Sequence, residues 1–338
     1  MPRRRNQKNK TSTKRETVAT PSGWESPIVI IFADIVGCSE ISNHEKIFKY
    51  NQIVQTFQNL FKATSNKFYE KFYSSLDRTH FKPQVRGDEG SLMIFRKDSK
   101  PTNLDLWADD VDTAINIALE LKRKWLLCWY NQERILAGQL PSDISIGIHF
   151  GKAWINFTAE KEYQPEGYAI NLTKRIENHS REGVFTHIDI SEAACDRLYF
   201  LTDEMTYTFA DPRLIKPKGI SQGINVFEVK HHFLPTDWYD AEIRESIFDP
   251  TDEEVKIVEV AHRTNPTNLW LAEECIMMQM LKKYKELEDK DETEDKHKLK
   301  DAYKDAEALS KKLATGPLRD AGSVCLVGLI VGESVVSG

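Results

Sequence analysis

The run Ile28-Val29-Ile30-Ile31-Phe32 constrains this chain most. It is β-branched, apolar and too short for most helices, so it reads as a strand buried on both faces. It ends at Ala33-Asp34-Ile35-Val36-Gly37, where a carboxylate and a glycine follow the strand directly. Helical spacing comes next, with Ile47, Phe48, Ile53, Phe57, Leu60 and Phe61. Residues 81–95 read as two strands around the tight Gly87-Asp88-Glu89-Gly90. Residues 108–129 form a second amphipathic helix, with Val111, Ala114, Ile115, Ala118, Leu121 and Trp125 on one stripe. Residues 143–150 alternate polar and apolar and read as a strand that continues to Trp154 and Ile155. A helix over 167–179, a strand over 185–190, a helix over 191–198 and two short closing strands within 216–229 complete the pattern. Strands interleaved with helices predict an α/β sandwich with helices packed on a sheet.

The flanks differ from this core. Residues 1–25 are basic and almost free of large apolar side chains, which predicts a disordered arm. From about residue 231 the pattern turns helical. Thr251-Asp252-Glu253-Glu254 is a capping-box sequence, Asn265-Pro266-Thr267 breaks the helix, and further helices are expected through Trp270 to Leu287 and over 301–313. The division is therefore 1–25, 26–230 and 231–338, within the roughly two domains that 338 residues suggest. Lys and Arg number 46 against 52 Asp and Glu, a net charge of −6 that gives no electrostatic case for DNA or RNA. Five scattered cysteines without metal spacing read as a reducing, cytoplasmic setting. No apolar segment follows the basic N-terminus as a secretory signal would require. The longest apolar run, 324–331, falls far short of the ~20 residues that span a bilayer.

Two carboxylates sit where chemistry is expected. Asp34 ends one buried strand, and Asp88 occupies the turn between two others. Adjacent strands bring such side chains within ~4–5 Å, where like charges repel strongly unless a divalent cation lies between them. Mg²⁺ or Mn²⁺ suits all-oxygen ligands, and the Ile35 carbonyl is a further candidate. Asp is also common in turns, so the pair alone fits two unrelated turn residues. Asn171 and Arg175, four apart within Gly167-Tyr168-Ala169-Ile170-Asn171-Leu172-Thr173-Lys174-Arg175, share one face of a helix. An amide and a guanidinium there can orient a ribose and hold developing phosphoryl charge; a surface Asn and a helix ion pair would look the same.

Taken in order, Ile31-Phe32-Ala33-Asp34-Ile35-Val36-Gly37-Cys38-Ser39, Gly87-Asp88-Glu89, Ile146-Gly147-Ile148-His149-Phe150-Gly151, the Asn171/Arg175 segment and the closing Lys218-Gly219-Ile220 through Val226-Phe227-Glu228-Val229 resemble the class III nucleotidyl cyclases over about residues 26–230. The resemblance implies a ferredoxin-like βαββαβ core. It implies conversion of a nucleoside triphosphate to a 3′,5′-cyclic monophosphate and pyrophosphate, with two Mn²⁺ or Mg²⁺ ions per site. Asp34, Ile35 and Asp88 then correspond to the metal residues, and Asn171 and Arg175 to the ribose-orienting and transition-state groups. The family works as a head-to-tail homodimer with shared sites.

The departures point to the base. Where adenylyl cyclases usually carry Lys and Asp as base readers, this chain has Gln84 and Gln164, and the Glu/Cys pair of guanylyl enzymes is missing too. Tyr163 and Tyr168, with Arg86, are candidates for narrowing the base pocket, although the two tyrosines also fit ordinary packing. Ile220 stands where some members place a phosphate-binding Lys, leaving Lys216, Lys218 or Lys152 as replacements. Retained metal residues with lost purine readers resemble the pyrimidine cyclases of Pycsar antiphage systems. That likeness implies UTP, or CTP as second choice, as substrate, and a cyclic product acting on a separate effector protein. An adenylyl cyclase with other base contacts and a non-catalytic nucleotide-binding domain are the rival readings.

Overall fold

The computed structural model describes residues 23–96, 104–158, 162–198, 207–219, 222–232 and 250–272, with 274, 275, 278, 279 and 282. Ile220, most of the basic arm and the helix expected over 301–313 lie outside the described residues.

The strand anticipated at Ile28 is the central strand of the sheet, β1 (Gly23–Ile35). It starts four residues before Pro27, inside the expected arm, because residues 23–27 pair with β4 (Ile144–Phe157). β1 lies antiparallel between β4 and β3 (Glu89–Phe95), and β3 pairs with β2 (Phe81–Arg86). Helices α1 (Cys38–His44) and α2 (Ile47–Phe72) connect β1 to β2. Helices α3 (Leu104–Leu126) and α4 (Trp129–Leu136) connect β3 to β4. The order β2-β3-β1-β4 with these crossovers is the expected ferredoxin-like core. After β4 come β5 (Tyr163–Glu166), α5 (Tyr168–Ser180), β6 (Ile188–Ser191) and α6 (Glu192–Leu198). The short β7 (Tyr207–Phe209) and β8 (Arg213–Ile215) both pair with β9 (Ile224–His232). β6 runs parallel to β4 and carries β9 on its other side, while β5 folds back on the far end of β4.

The two-residue period of β1 distributes its side chains between two cores. Val29, Ile31, Ala33 and Ile35 pack in one cluster with Phe57, Phe61, Val111, Ile115 and Leu121 of α2 and α3. Ile28, Ile30 and Phe32 face the other way, toward Met93, Phe95, Ile155 and Ala169. Each of these fully buried aliphatics contributes ~1.5–3 kcal/mol. A continuous apolar run with no alternation is what a strand covered on both faces requires. Asp34, next in the even-numbered series, therefore emerges on the α5 side of the sheet.

Several local expectations shift. The strand expected over 185–190 shortens to Ile188–Ser191 because the Val184, Phe185 and His187 amides donate to the Glu228 carboxylate instead of to a neighbouring strand. The first closing strand is β8, ahead of Lys216. β5, β7 and α4 were not anticipated. The capping box is present: Thr251 caps α7 (Asp252–Thr264) with Glu254 reciprocating, and the helix stops at Asn265. Val255, Val258 and Ala261 pack with Trp270, Leu271 and Cys275 against Leu126 and Ile135 of α3 and α4. Among the described residues no helix is long and apolar enough to cross a membrane.

Candidate active site

The β2–β3 turn is a two-residue hairpin of Gly87 and Asp88, in which Gly87 takes φ +62°, the left-handed region that favours glycine. Gln58 of α2 donates to the Gly87 carbonyl at 2.8 Å, fixing the turn. Asp88 thereby sits at the same sheet end as Asp34, whose Cα stands opposite Glu89 in the β1–β3 register. The Ile35 amide donates to the Asp88 carbonyl at 3.4 Å. Burial pushes the Asp34 carboxyl up to about 6, against Lys174 and Arg181 and with Glu177 and Asp88 adding to the rise. Burial likewise raises the neighbouring Cys38 thiol to about 12, with Asp88 contributing, which disfavours its thiolate form.

α5 supplies the rest. Ala169, Leu172, Thr173, Ile176, Glu177 and Ser180 form its buried stripe. The helix approaches β4 closely: a Cβ on Gly147 would lie 2.4 Å from the Glu177 amide nitrogen. Lys174 and Arg181 project toward Asp34. Arg181 Nη2 donates to Asp34 Oδ2 at 2.7 Å, and Lys174 Nζ lies 3.5 Å from the same oxygen. Lys174 also meets Glu89 at 2.7 Å and Glu177 at 3.0 Å; Glu177 is 0% exposed and further bonded to Ser145 and Arg181. Asn171 is exposed and Arg175 half-buried, both off the buried stripe. The Arg175 guanidinium reaches the Gly219 turn, where a Cβ would stand 3.7 Å from its Nη2. Lys218, beside that turn, is exposed, as is Lys216; Lys152 instead pairs with Glu25.

The remaining candidates divide. The Tyr163 ring packs against Trp24, His80, Phe95 and Phe157, so packing accounts for it. Gln84, Arg86, Gln164 and Tyr168 are exposed. Lys82, on the same side of β2 as Gln84, donates to the Tyr163 carbonyl at 3.1 Å and to Glu162 at 3.0 Å. It thus ties the strand carrying Gln164 to the strand carrying Gln84.

Among the described residues no group of three or more His, Cys, Asp or Glu side chains is arranged to hold a metal. The oxygens at the β1 end nevertheless fit a hard divalent cation. Asp34 Oδ1 is buried without a hydrogen-bond partner. Three carboxylates (Asp34, Glu89 and Glu177) pair with two cations, Lys174 and Arg181, and the charge of Asp88 acts on Asp34 as well. Mg²⁺ and Mn²⁺ sites commonly use only one or two carboxylates and complete their shell with substrate phosphates.

The sequence reading missed Lys174, Arg181, Glu177, Glu89 and Lys82. The i,i+3 and i,i+4 alternation Lys174–Glu177–Arg181 was the available signal. It reads as a solvated ion-pair ladder until the helix is seen to press it against β1.

No protein-family model and no curated protein matches the sequence. Among solved structures, the chain is similar to the adenylyl cyclase CyaB from P. aeruginosa at 17% identity, covering 62% of this chain and 96% of that one, with a TM-score of 0.47. It is similar to the guanylyl cyclase Cya2 at 20% identity, over 61% and 93% of the chains, with a TM-score of 0.37. A third neighbour is the guanylate cyclase domain of RhGC from Catenaria anguillulae, in complex with GTP, at 16% identity over 62% and 99%, with a TM-score of 0.41.

Proposed function

We propose that the protein is a nucleotidyl cyclase acting as a homodimer with shared active sites. One observation carries the reading: α5 turns Lys174 and Arg181 toward its own Asp34 while Arg175 reaches away to the Gly219 turn and Asn171 stands exposed. A site that combines Asp34 and Asp88 with Asn171 and Arg175 therefore takes the two halves from two copies. Exposed Trp154, Phe157 and Tyr168 supply apolar surface for a second copy.

In the reaction the 3′-oxygen of the ribose forms a bond to the α-phosphorus, and the bond from that phosphorus to the β-bridging oxygen breaks. The 3′-hydroxyl proton goes to solvent and pyrophosphate leaves. Asp34 and Asp88, with the Ile35 carbonyl, are the residues that would hold two Mn²⁺ or Mg²⁺ ions. When bound, such ions acidify a hydroxyl and neutralise phosphate charge. Asn171 orients the ribose by hydrogen bonding. Arg175 carries a permanent charge in a fork geometry suited to the pentavalent phosphoryl oxygens. Lys218, exposed beside the turn that Arg175 reaches, is the residue we assign to the leaving phosphates.

The base preference is the finer part of the proposal. Gln84 and Gln164 stand where a charged pair would discriminate adenine, and their amides can read any base edge. With the purine readers lost, the likeness to pyrimidine cyclases makes uracil, before cytosine, the preferred base, with the cyclic product signalling to a separate effector in antiphage defence. The deciding experiment incubates the purified full-length chain with each of the four triphosphates and Mn²⁺. Cyclic UMP as the main product supports the full reading. Cyclic CMP moves the preference to cytosine, and cyclic AMP or GMP overturns the base assignment alone. No cyclic product from any triphosphate overturns the enzyme.

A further inference from the structure

We propose that the C-terminal helical segment positions the carboxylate end of β1, acting through Trp270, Lys122 and Asp143. The proposal rests on the reading that this end holds the cations, and it names residues none of which touches substrate.

Asp143, the residue before β4, is the node. Its backbone carbonyl accepts the Val36 amide at 2.9 Å, two residues beyond Asp34. Asp143 Oδ1 accepts from Lys122 Nζ at 2.5 Å and from the Ile144 amide at 2.8 Å. Asp143 Oδ2 meets His187 Nδ1 at 2.7 Å. His187 is the one non-glycine among the described residues with positive φ, at 54°, and its amide is held by Glu228. The residue whose backbone carbonyl fixes the exit of β1 is thus held, through its carboxylate, by groups from α3, β4 and the loop before β6.

Lys122 is the unusual member. Its side chain is only 1% exposed, and a buried ammonium needs both a counter-charge and shelter from competing water. Asp143 provides the charge. The C-terminal segment provides the shelter: the Trp270 ring centroid lies 5.1 Å from Lys122 Nζ, a cation–π contact. The next residue, Arg123, pairs with buried Glu274 of the same segment, which fixes that segment's register along α3. Asp143 is already 31% exposed at its own end of the pair. Without Trp270, water also reaches the buried Lys122 ammonium, and the attraction between the two falls further toward the high-dielectric value. Asp143 then loses its hold, and the Val36 amide and the adjoining Asp34–Ile35 backbone become free to move.

The test uses full-length Trp270→Ala, Trp270→Phe and Lys122→Met, with Val226→Ala as a control that weakens a separate core cluster. Two quantities are read: amide-resolved hydrogen exchange at Val36, and Mn²⁺ affinity from free-ion electron paramagnetic resonance. Trp270→Ala and Lys122→Met should each speed Val36 exchange about tenfold or more and weaken Mn²⁺ binding about fivefold, while Trp270→Phe restores both. Val226→Ala should leave both within about twofold at a comparable loss of thermal stability. Unchanged Val36 exchange in folded Trp270→Ala or Lys122→Met overturns the proposal, as does equal acceleration in Val226→Ala. If Trp270→Ala fails to fold, Lys122→Met and Trp270→Phe carry the same decision. Should the wild type bind no Mn²⁺ that Asp34→Asn abolishes, the cation reading fails, and the exchange result still decides the positioning role.

Discussion

Replacing Lys174 with Met tests whether its ammonium and a divalent cation compete for Asp34. Lys174 Nζ lies within 3.5 Å of Asp34, Glu89 and Glu177, and Glu177 is fully buried. Breaking a buried ion pair costs ~3–5 kcal/mol. Lys174 itself is 29% exposed, and Arg181 stays to serve both Asp34 and Glu177, so ~2–3 kcal/mol is the better figure. At ~2–4 °C per kcal/mol for a domain of this size, Tm in EDTA should fall by ~4–12 °C. Carboxylates freed of the ammonium should then take a divalent ion more tightly. Manganese at 100 times its Kd returns ~2.7 kcal/mol, so the Tm gain on adding a fixed Mn²⁺ concentration should be larger in Lys174→Met than in the wild type. Thermal unfolding of both proteins in EDTA and in a Mn²⁺ series measures this. Equal gains, or a smaller gain in the variant, would refute the view that Lys174 and the metal share these oxygens.

Other perturbations test the neighbouring elements. Gln84→Lys combined with Gln164→Asp restores a charged base-reading pair and should shift turnover toward ATP by about tenfold or more, read as cyclic AMP against cyclic UMP in competition assays. Gly147→Ala places a methyl 2.4 Å from the α5 backbone, so the helix must move; stability should drop by ~1–3 kcal/mol in denaturant titrations and cyclase activity should fall with it. Burial lowers the pKa of His149 to about 4, so its ring is neutral in the native state. The unfolded chain takes up that proton first, so the associated stability is complete above about pH 6.5 and is lost as pH falls toward 4, up to ~3 kcal/mol. His149→Phe should flatten unfolding free energy against pH across that window; an unchanged slope would contradict the assignment.

The sequence made the sheet legible because its signals are local. Ile28 to Phe32 reads as a doubly covered strand, and the four-residue spacing of Asn171 and Arg175 puts both on one face of α5. Asp34 and Asp88 were readable for the same reason, since each terminates a recognisable strand. What escaped was set by contacts far apart in the chain. β6 begins late because Glu228, some 40 residues on, takes up the amides of Val184, Phe185 and His187. Tyr163 could not be told from a pocket residue until β5 was seen folded over Trp24, His80 and Phe95. The Lys174–Arg181 pair became informative only when β1 was placed beneath it.

Sharing of the site between two copies is most directly tested by mixing subunits. Asp88→Ala and Arg175→Ala chains, each inactive alone, are co-refolded or co-expressed and assayed for cyclic nucleotide. If Asp88 of one copy works with Arg175 of the other, each mixed dimer keeps one intact site, and a random mixture should recover about a quarter of wild-type activity. No recovery, with mixed dimers shown to form, would contradict the account.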